Sequence, residues 1–216
     1  QLFSNQTEIR TRGDGKSVVY NDNLSQLKMD RTTNIITFFE NKPGDETLLY
    51  TNNLTQTFTQ MKRLGGWQLG MSFSSVDLSS NIVEYVRYVS SYPILSSGRE
   101  GMTQVKATTN GIEKLRTSSL IAQTPLPSKN KKVTIVGGKD IVAELLNEGF
   151  SMNEIEDIRI GYSWTTSSEN NQIVEFIPTW YIRMNNRWKT LSELKNEKKA
   201  GDAANKQTGG GDGDGF

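Results

Sequence analysis

Carboxylates, tryptophans and a glycine pair are the residues here whose spacing could do chemistry. Glu154, Glu156 and Asp157 cluster ahead of a strand-like stretch, and Glu84 and Glu175 fall inside two others. Two carboxyl groups can share acid and base work across a cleft without histidine. No spacing singles out such a pair, and clustered acids read more simply as a solvated edge. Gly137-Gly138-Lys139 precedes an apolar helical stretch, and a helix N-terminus can hold an anion. The spacing is not that of a phosphate loop, so a turn and cap is the stronger reading. Asp212 and Asp214 lie in a glycine-rich run without the distal bidentate glutamate of a calcium loop.

Composition removes other chemistries. The 216 residues include no cysteine and no histidine. That excludes disulfides, thiolate zinc sites, imidazole-based nucleophile pairs and the usual ligands of catalytic zinc. Lys plus Arg number 25 against 24 Asp plus Glu, so no basic excess points to a nucleic acid. Asn5-Gln6-Thr7, Asn23-Leu24-Ser25 and Asn53-Leu54-Thr55 match the N-glycosylation triplet, which recurs by chance in a chain rich in Asn, Ser and Thr. The chain opens without methionine and holds no apolar run long enough to span a bilayer. It reads as a soluble piece of something longer. An apolar content of 34% with abundant Ser, Thr and Asn suits a polar-surfaced, strand-rich domain outside the cytoplasm.

Aromatic residues concentrate in one hairpin. In residues 173–184, Val174, Phe176, Pro178, Trp180, Ile182 and Met184 occupy the even positions, while Glu175, Thr179 and Arg183 fall on odd ones. Side chains alternate across a strand, so this is a long strand with one buried face. Ile158, Ile160, Tyr162 and Trp164 give 157–164 the same pattern, and the polar 165–172 makes the connecting loop. Trp164, Trp180 and Trp188 with Tyr181 could form a sugar-stacking platform, but Trp164 and Trp180 lie on the apolar faces, where core packing is the plainer role. The odd face carries Ile173, Ile177 and Tyr181, which is more apolar than solvent requires. It is either covered by the helix at 139–147 or offered to a partner, with covering the plainer answer. Ile173, Ile177, Tyr181 and Trp188 are therefore the candidate partner-interface residues.

The rest of the chain must position that hairpin. Short strands at 7–12, 16–21, 24–30 and 34–40, punctuated by Gly13-Asp14-Gly15 and Asn21-Asp22-Asn23, predict an antiparallel meander. Asn41-Lys42-Pro43-Gly44 ends it. A helix within 45–64 follows, with Leu54, Phe58 and Met61 on one face, and Gly65-Gly66 stops it. Its threonines and asparagines make it a poor helix by propensity, so burial must hold it. Further strands are expected at 67–74, 81–90, 101–107 and 112–120. The Pro- and Lys-rich stretch 124–132 reads as a hinge. Beyond it come the helix at 139–147, with Ile141 and Leu145 in its apolar stripe, then the hairpin, then a short helix or turn at 191–195. From 197 the composition predicts a flexible tail.

The expected fold is α+β: antiparallel β-sheets with a few packed helices, in two subdomains, 1–123 and 124–196, and a tail over 197–216. The order of Phe3-Ser4-Asn5, Val19-Tyr20-Asn21-Asp22, Leu27-Lys28-Met29-Asp30, Tyr92-Pro93-Ile94-Leu95, Ile160-Gly161-Tyr162 and Pro178-Thr179-Trp180-Tyr181 with Trp188 resembles the YycH family. The resemblance spans residues 1–196, corresponding to that family's C-terminal portion; the related YycI family has a similar closing pattern. Members are membrane-anchored extracytoplasmic proteins of low-GC Gram-positive bacteria. The resemblance implies a regulator rather than an enzyme. It would modulate the sensor histidine kinase YycG (WalK), whose two-component system controls cell-wall metabolism, and would act with YycI. It also implies a membrane anchor through an N-terminal helix that this piece lacks, and it offers no catalytic residue, metal or cofactor to carry over. A cell-wall glycan-binding module is the alternative reading.

Overall fold

The computed structural model describes residues 10–41, 50–64, 66–96, 98–108, 111–120, 133–166 and 173–208. The expected hinge at 124–132, most of the hairpin loop, and the last eight residues of the tail lie outside the described residues. The chain divides into two compact units, one of residues 1–131 with 162–177, the other of 132–161 with 178–216. As the pattern predicts, the fold is α+β with antiparallel sheets.

In the first unit the meander is present as β1 (Arg10–Gly13), β2 (Ser17–Asn21), β3 (Ser25–Asp30) and β4 (Ile35–Glu40). Its turns share one device. Asp14, Asp22 and Asp30 each accept the backbone N–H groups two and three residues on. This side-chain mimic of a turn fixes where each strand reverses. After β4 the chain crosses through α1 (Tyr50–Arg63) to β5 (Met71–Asp77), then β6 (Ile82–Val89). The β5–β6 turn repeats the device, with Asp77 accepting from Ser79 and Ser80. Next come the short β7 (Tyr92–Pro93), β8 (Met102–Thr108) and β9 (Gly111–Ser118). The sheet order is β1-β2-β3-β4-β9-β8-β6-β5, with β7 beside β6.

That order aligns one apolar rung. Tyr20, Leu27, Phe38, Leu115, Val105, Val83 and Val76 are successive cross-strand partners over β2, β3, β4, β9, β8, β6 and β5. Phe38, Val83, Val105 and Leu115 are buried with Met61 of α1, and Leu54 packs on the same cluster. The face of α1 differs from the predicted stripe. Asn53 and Thr57 are fully buried, whereas Phe58 is 39% exposed at the rim. The physical reason is hydrogen bonding: Asn53 Nδ2 donates to the Asn81 carbonyl (3.2 Å) and Oδ1 (2.6 Å), and Thr57 Oγ1 lies 2.6 Å from the Tyr85 hydroxyl. Buried polar groups are tolerated when so partnered. This also settles the triplet at Asn53, whose amide is committed to the core.

In the second unit, α2 (Gly138–Asn147) buries Ile141 and Leu145, as its periodicity predicts. They pack with Ile182 and Leu194. The sheet here follows the order β10 (Asp157–Thr166), β11 (Val174–Met184), β12 (Arg187–Thr190). Asn185 and Asn186, with φ of 51° and 58°, make the tight β11–β12 turn. Helix α3 (Leu191–Thr208) begins at the expected short helix or turn and runs on, so residues 197–208 are helical where a tail was expected. Good helix formers, Ala, Glu and Lys, fill it. Lys195 Nζ ties it to Glu144 (2.6 Å) and Glu148 (2.8 Å), and Lys198 donates to the Glu148 carbonyl.

Phe38→Ala is expected to lower stability by about 3–5 kcal/mol through the cavity it leaves. Tyr85→Phe, which removes only the hydroxyl facing Thr57, should cost about 1 kcal/mol. Urea unfolding of both variants checks the ranking, and equal losses would deny the rung its weight.

Acid should loosen the turns. Backbone hydrogen bonds hold the carboxyls of Asp14 and Asp30 below their ordinary values, and the Ser79 and Ser80 hydroxyls bring Asp77 to about 2. A depressed carboxyl contributes stability above its unfolded value, near 3.8, and loses it as pH falls through the folded value. Protection of the Ser79 amide, its exchange rate taken relative to the intrinsic rate at each pH, should therefore fall between about pH 4 and pH 2, and Asp77→Asn should flatten that dependence.

Candidate functional site

Each candidate interface residue has a definite place, in one unit or the other. In the first unit, the outer part of the hairpin keeps its predicted alternation. Phe176 meets the rings of Tyr162 (5.9 Å) and Trp164 (5.5 Å), and Tyr162 in turn meets Tyr92 (5.9 Å). On the opposite side Ile173 is 38% and Ile177 42% exposed, with Glu175 between them also exposed. Ser163 Oγ donates to the Ile177 carbonyl, holding the strand in register. Two β-branched side chains thus stand in solvent on a backbone that is fixed.

Beneath this stretch, Arg87 is buried to 3% exposure. Its guanidinium lies 5.9 Å from the Trp164 ring centre and donates from Nη1 to the Leu120 carbonyl. Nε finds no partner among the described residues, and burial lowers the pKa of the group from its ordinary value. The indole of Trp164 is consequently engaged by Arg87 and Phe176.

In the second unit the other two candidates are structural. Tyr181 is 1% exposed and Ile182 fully buried, so β11 is covered on both faces at this point. Tyr181 is therefore not an accessible interface residue of the chain. Helix α2 does not provide its cover as anticipated: Ile141 and Leu145 pack on the even-numbered face, with Ile182, Trp180 and Met184. Trp188 lies under two guanidiniums, Arg159 at 4.7 Å and Arg183 at 6.0 Å from the ring centre. Arg159 pairs with Asp157. Arg183 Nε stands 3.0 Å from Glu156 Oε2, an ion pair whose angle is too bent for a hydrogen bond. Glu156 also accepts the Asn186 N–H. Trp180 donates its indole N–H to the Val136 carbonyl at 2.9 Å. Hence the carboxylates at 156 and 157 serve a cation–π clasp around Trp188, and the tryptophans do not form a free platform.

Other sequence candidates resolve similarly. Gly137 caps α2, and its N–H is met by Asp140 Oδ2, so a carboxylate of the chain already occupies the helix start. Glu84 accepts from Gln104 and lies 3.8 Å from Arg99. No group of three or more acidic side chains fit to hold a metal occurs among the described residues. Asp212 and Asp214 lie outside them. No helix among the described residues is long and apolar enough to cross a membrane. Sequence reading missed the Trp188 clasp because it missed β12, although Asn185-Asn186 is a recognisable two-residue hairpin turn.

These features define an α+β domain of antiparallel sheets whose polar groups are spent largely on turns, caps and ion pairs. Residues 1–198 match the family described as YycH protein, C-terminal domain. The chain belongs to the YycH family. Among solved structures it is similar to the crystal structure of YycH from Bacillus subtilis, with a TM-score of 0.66 and 16% identity over 88% of this chain and 46% of that one. At that identity the likeness is one of fold, and the chain spans less than half the length of that protein. No curated protein matches the chain.

The unequal burial of Ile177 and Tyr181 makes a split expectation. Ile177→Asp should change stability by no more than about 1 kcal/mol, whereas Tyr181→Asp buries a charge and should cost about 3 kcal/mol or more. Thermal unfolding of the two variants separates them.

Proposed function

We propose that this chain is a regulatory protein-interaction module on the extracytoplasmic face of the bacterial membrane. It modulates the sensor histidine kinase YycG (WalK) of a two-component system controlling cell-wall metabolism, and acts with YycI. The observation that carries this reading is the family match over residues 1–198. The exposed Ile173 and Ile177 support it, because apolar side chains on a rigid strand cost nothing further to order when a partner covers them. Such a module works by binding one conformation of the kinase more tightly than another and thereby shifting its population. Nothing in that mechanism requires a bond to be made or broken.

Calorimetry of the chain with the extracytoplasmic domains of YycI and YycG, separately and together, tests the proposal. Saturable binding is expected, weakened about tenfold or more by Ile177→Asp, the change expected on losing a central apolar contact. Absence of binding, both by this chain and by the full-length protein, overturns it.

A further inference from the structure

The first unit carries a second exposed apolar face, formed where α1 turns into β5. Leu69 is 99% exposed, Phe73 46% and Phe58 39%. The two phenylalanines are linked through Trp67 and the buried Tyr85. Phe58 stands edge-on to Trp67 at 4.7 Å, Trp67 edge-on to Tyr85 at 5.3 Å, and Phe73 is the cross-strand partner of Tyr85.

Leu69 is presented by a fixed turn. The Met71 N–H donates to the Gln68 carbonyl, the Tyr88 N–H to that of Gly70, and Gly70 has φ +82°. A Cβ at Gly70 would stand 2.6 Å from the Tyr88 carbonyl oxygen, so only glycine fits this close approach. Upstream, the Gly66 and Trp67 N–H groups donate to the Met61 carbonyl, joining the turn to the end of α1. The leucine is therefore held out from the surface by backbone geometry.

Within residues 50–76, which carry the face, charge has one sign. Between Tyr50 and Val76 the sequence contains no Asp or Glu, and its only charges are Lys62 and Arg63. Both are exposed, and Lys62 Nζ lies 5.3 Å from the Phe58 ring centre. In a chain whose acids and bases otherwise balance, the charges of this segment are all cationic.

We propose that this face is a membrane-contact surface, seating Leu69 among the acyl chains of an anionic bilayer with Lys62 and Arg63 on the headgroups. Charge complementarity selects anionic lipid, since no carboxylate of this segment opposes it. The form of the patch favours a bilayer over a protein groove. A single protruding leucine needs a shaped pocket in a protein, whereas a bilayer accepts it without one. Half-buried Trp67 lies at its base, where an indole suits the interfacial layer. Contact is weak and reversible, and it orients the unit rather than anchoring it.

Cosedimentation of the purified chain with vesicles tests this, using equal parts phosphatidylglycerol and phosphatidylcholine against phosphatidylcholine alone. Binding to the anionic vesicles is expected, with loss in molar salt. Leu69→Asp should reduce the partition coefficient about tenfold or more, and the pair Lys62→Glu with Arg63→Glu should remove the preference for anionic lipid. All three positions are exposed, and circular dichroism with urea unfolding verifies that the variants fold. Failure of the unaltered chain to bind anionic vesicles overturns the proposal, as does unchanged binding by Leu69→Asp. Loss of YycI or YycG binding in Leu69→Asp, without any vesicle binding, would overturn the lipid assignment and give the face to a protein. The vesicle arm contains no second protein, so its outcome is distinct from that of the partner-binding test.

Discussion

The first unit depends on one rung of apolar side chains, running from Tyr20 through Phe38 and Val105 to Val76, capped by α1. Its components come from seven strands that are not all neighbours in sequence: β9 lies between β4 and β8, and β5 closes an edge. A one-residue slip of any strand would turn its member of the rung toward the opposite face. Register is accordingly the critical variable, and the four aspartate turns look like the means of setting it. Each carboxylate accepts two successive backbone N–H groups, so the reversal point of the hairpin is specified chemically as well as by hydrophobic pattern.

This division explains what could be read in advance. The meander strands were legible because the turn residues Gly13-Asp14-Gly15 and Asn21-Asp22-Asn23 mark the reversals between short strand-like stretches. The insertion of β9 beside β4 was not legible, since antiparallel neighbours distant in sequence carry no local sign. The face of α1 was misread for a related reason. Asn53 and Thr57 look like solvent residues, and only the distant Asn81 and Tyr85 make their burial affordable.

Helix α3 shows the same limit in the second unit. Its composition from Glu197 onward lacks an apolar stripe, which suggests a disordered chain. The helix persists because Leu194 enters the core and Lys195 and Lys198 engage the end of α2, some fifty positions earlier. Likewise the alternation of β11 identified one buried face correctly but could not reveal that Tyr181 is covered on the other. Period-two reasoning assumes one wet face, and the assumption fails wherever a strand is covered on both sides.

The exposed hydrophobic residues then sort by context. Leu24 and Leu78 are 51% and 72% exposed, but each sits alone within an aspartate-held turn. Isolated leucines of this kind are ordinary surface. Ile173 and Ile177 recur on one strand face, and Phe58, Leu69 and Phe73 gather around a turn that glycine geometry makes rigid. In both groups the supporting residues are buried and hydrogen-bonded while the apolar side chains themselves contribute little to the core. Burial elsewhere would have been available to a sequence selected for stability alone, since polar replacements at these positions leave the rung and the α2 cluster untouched. Placement on rigid elements suits the contacts proposed for them: the ordering cost is met during folding, so a partner surface would gain the contact without restraining a loop.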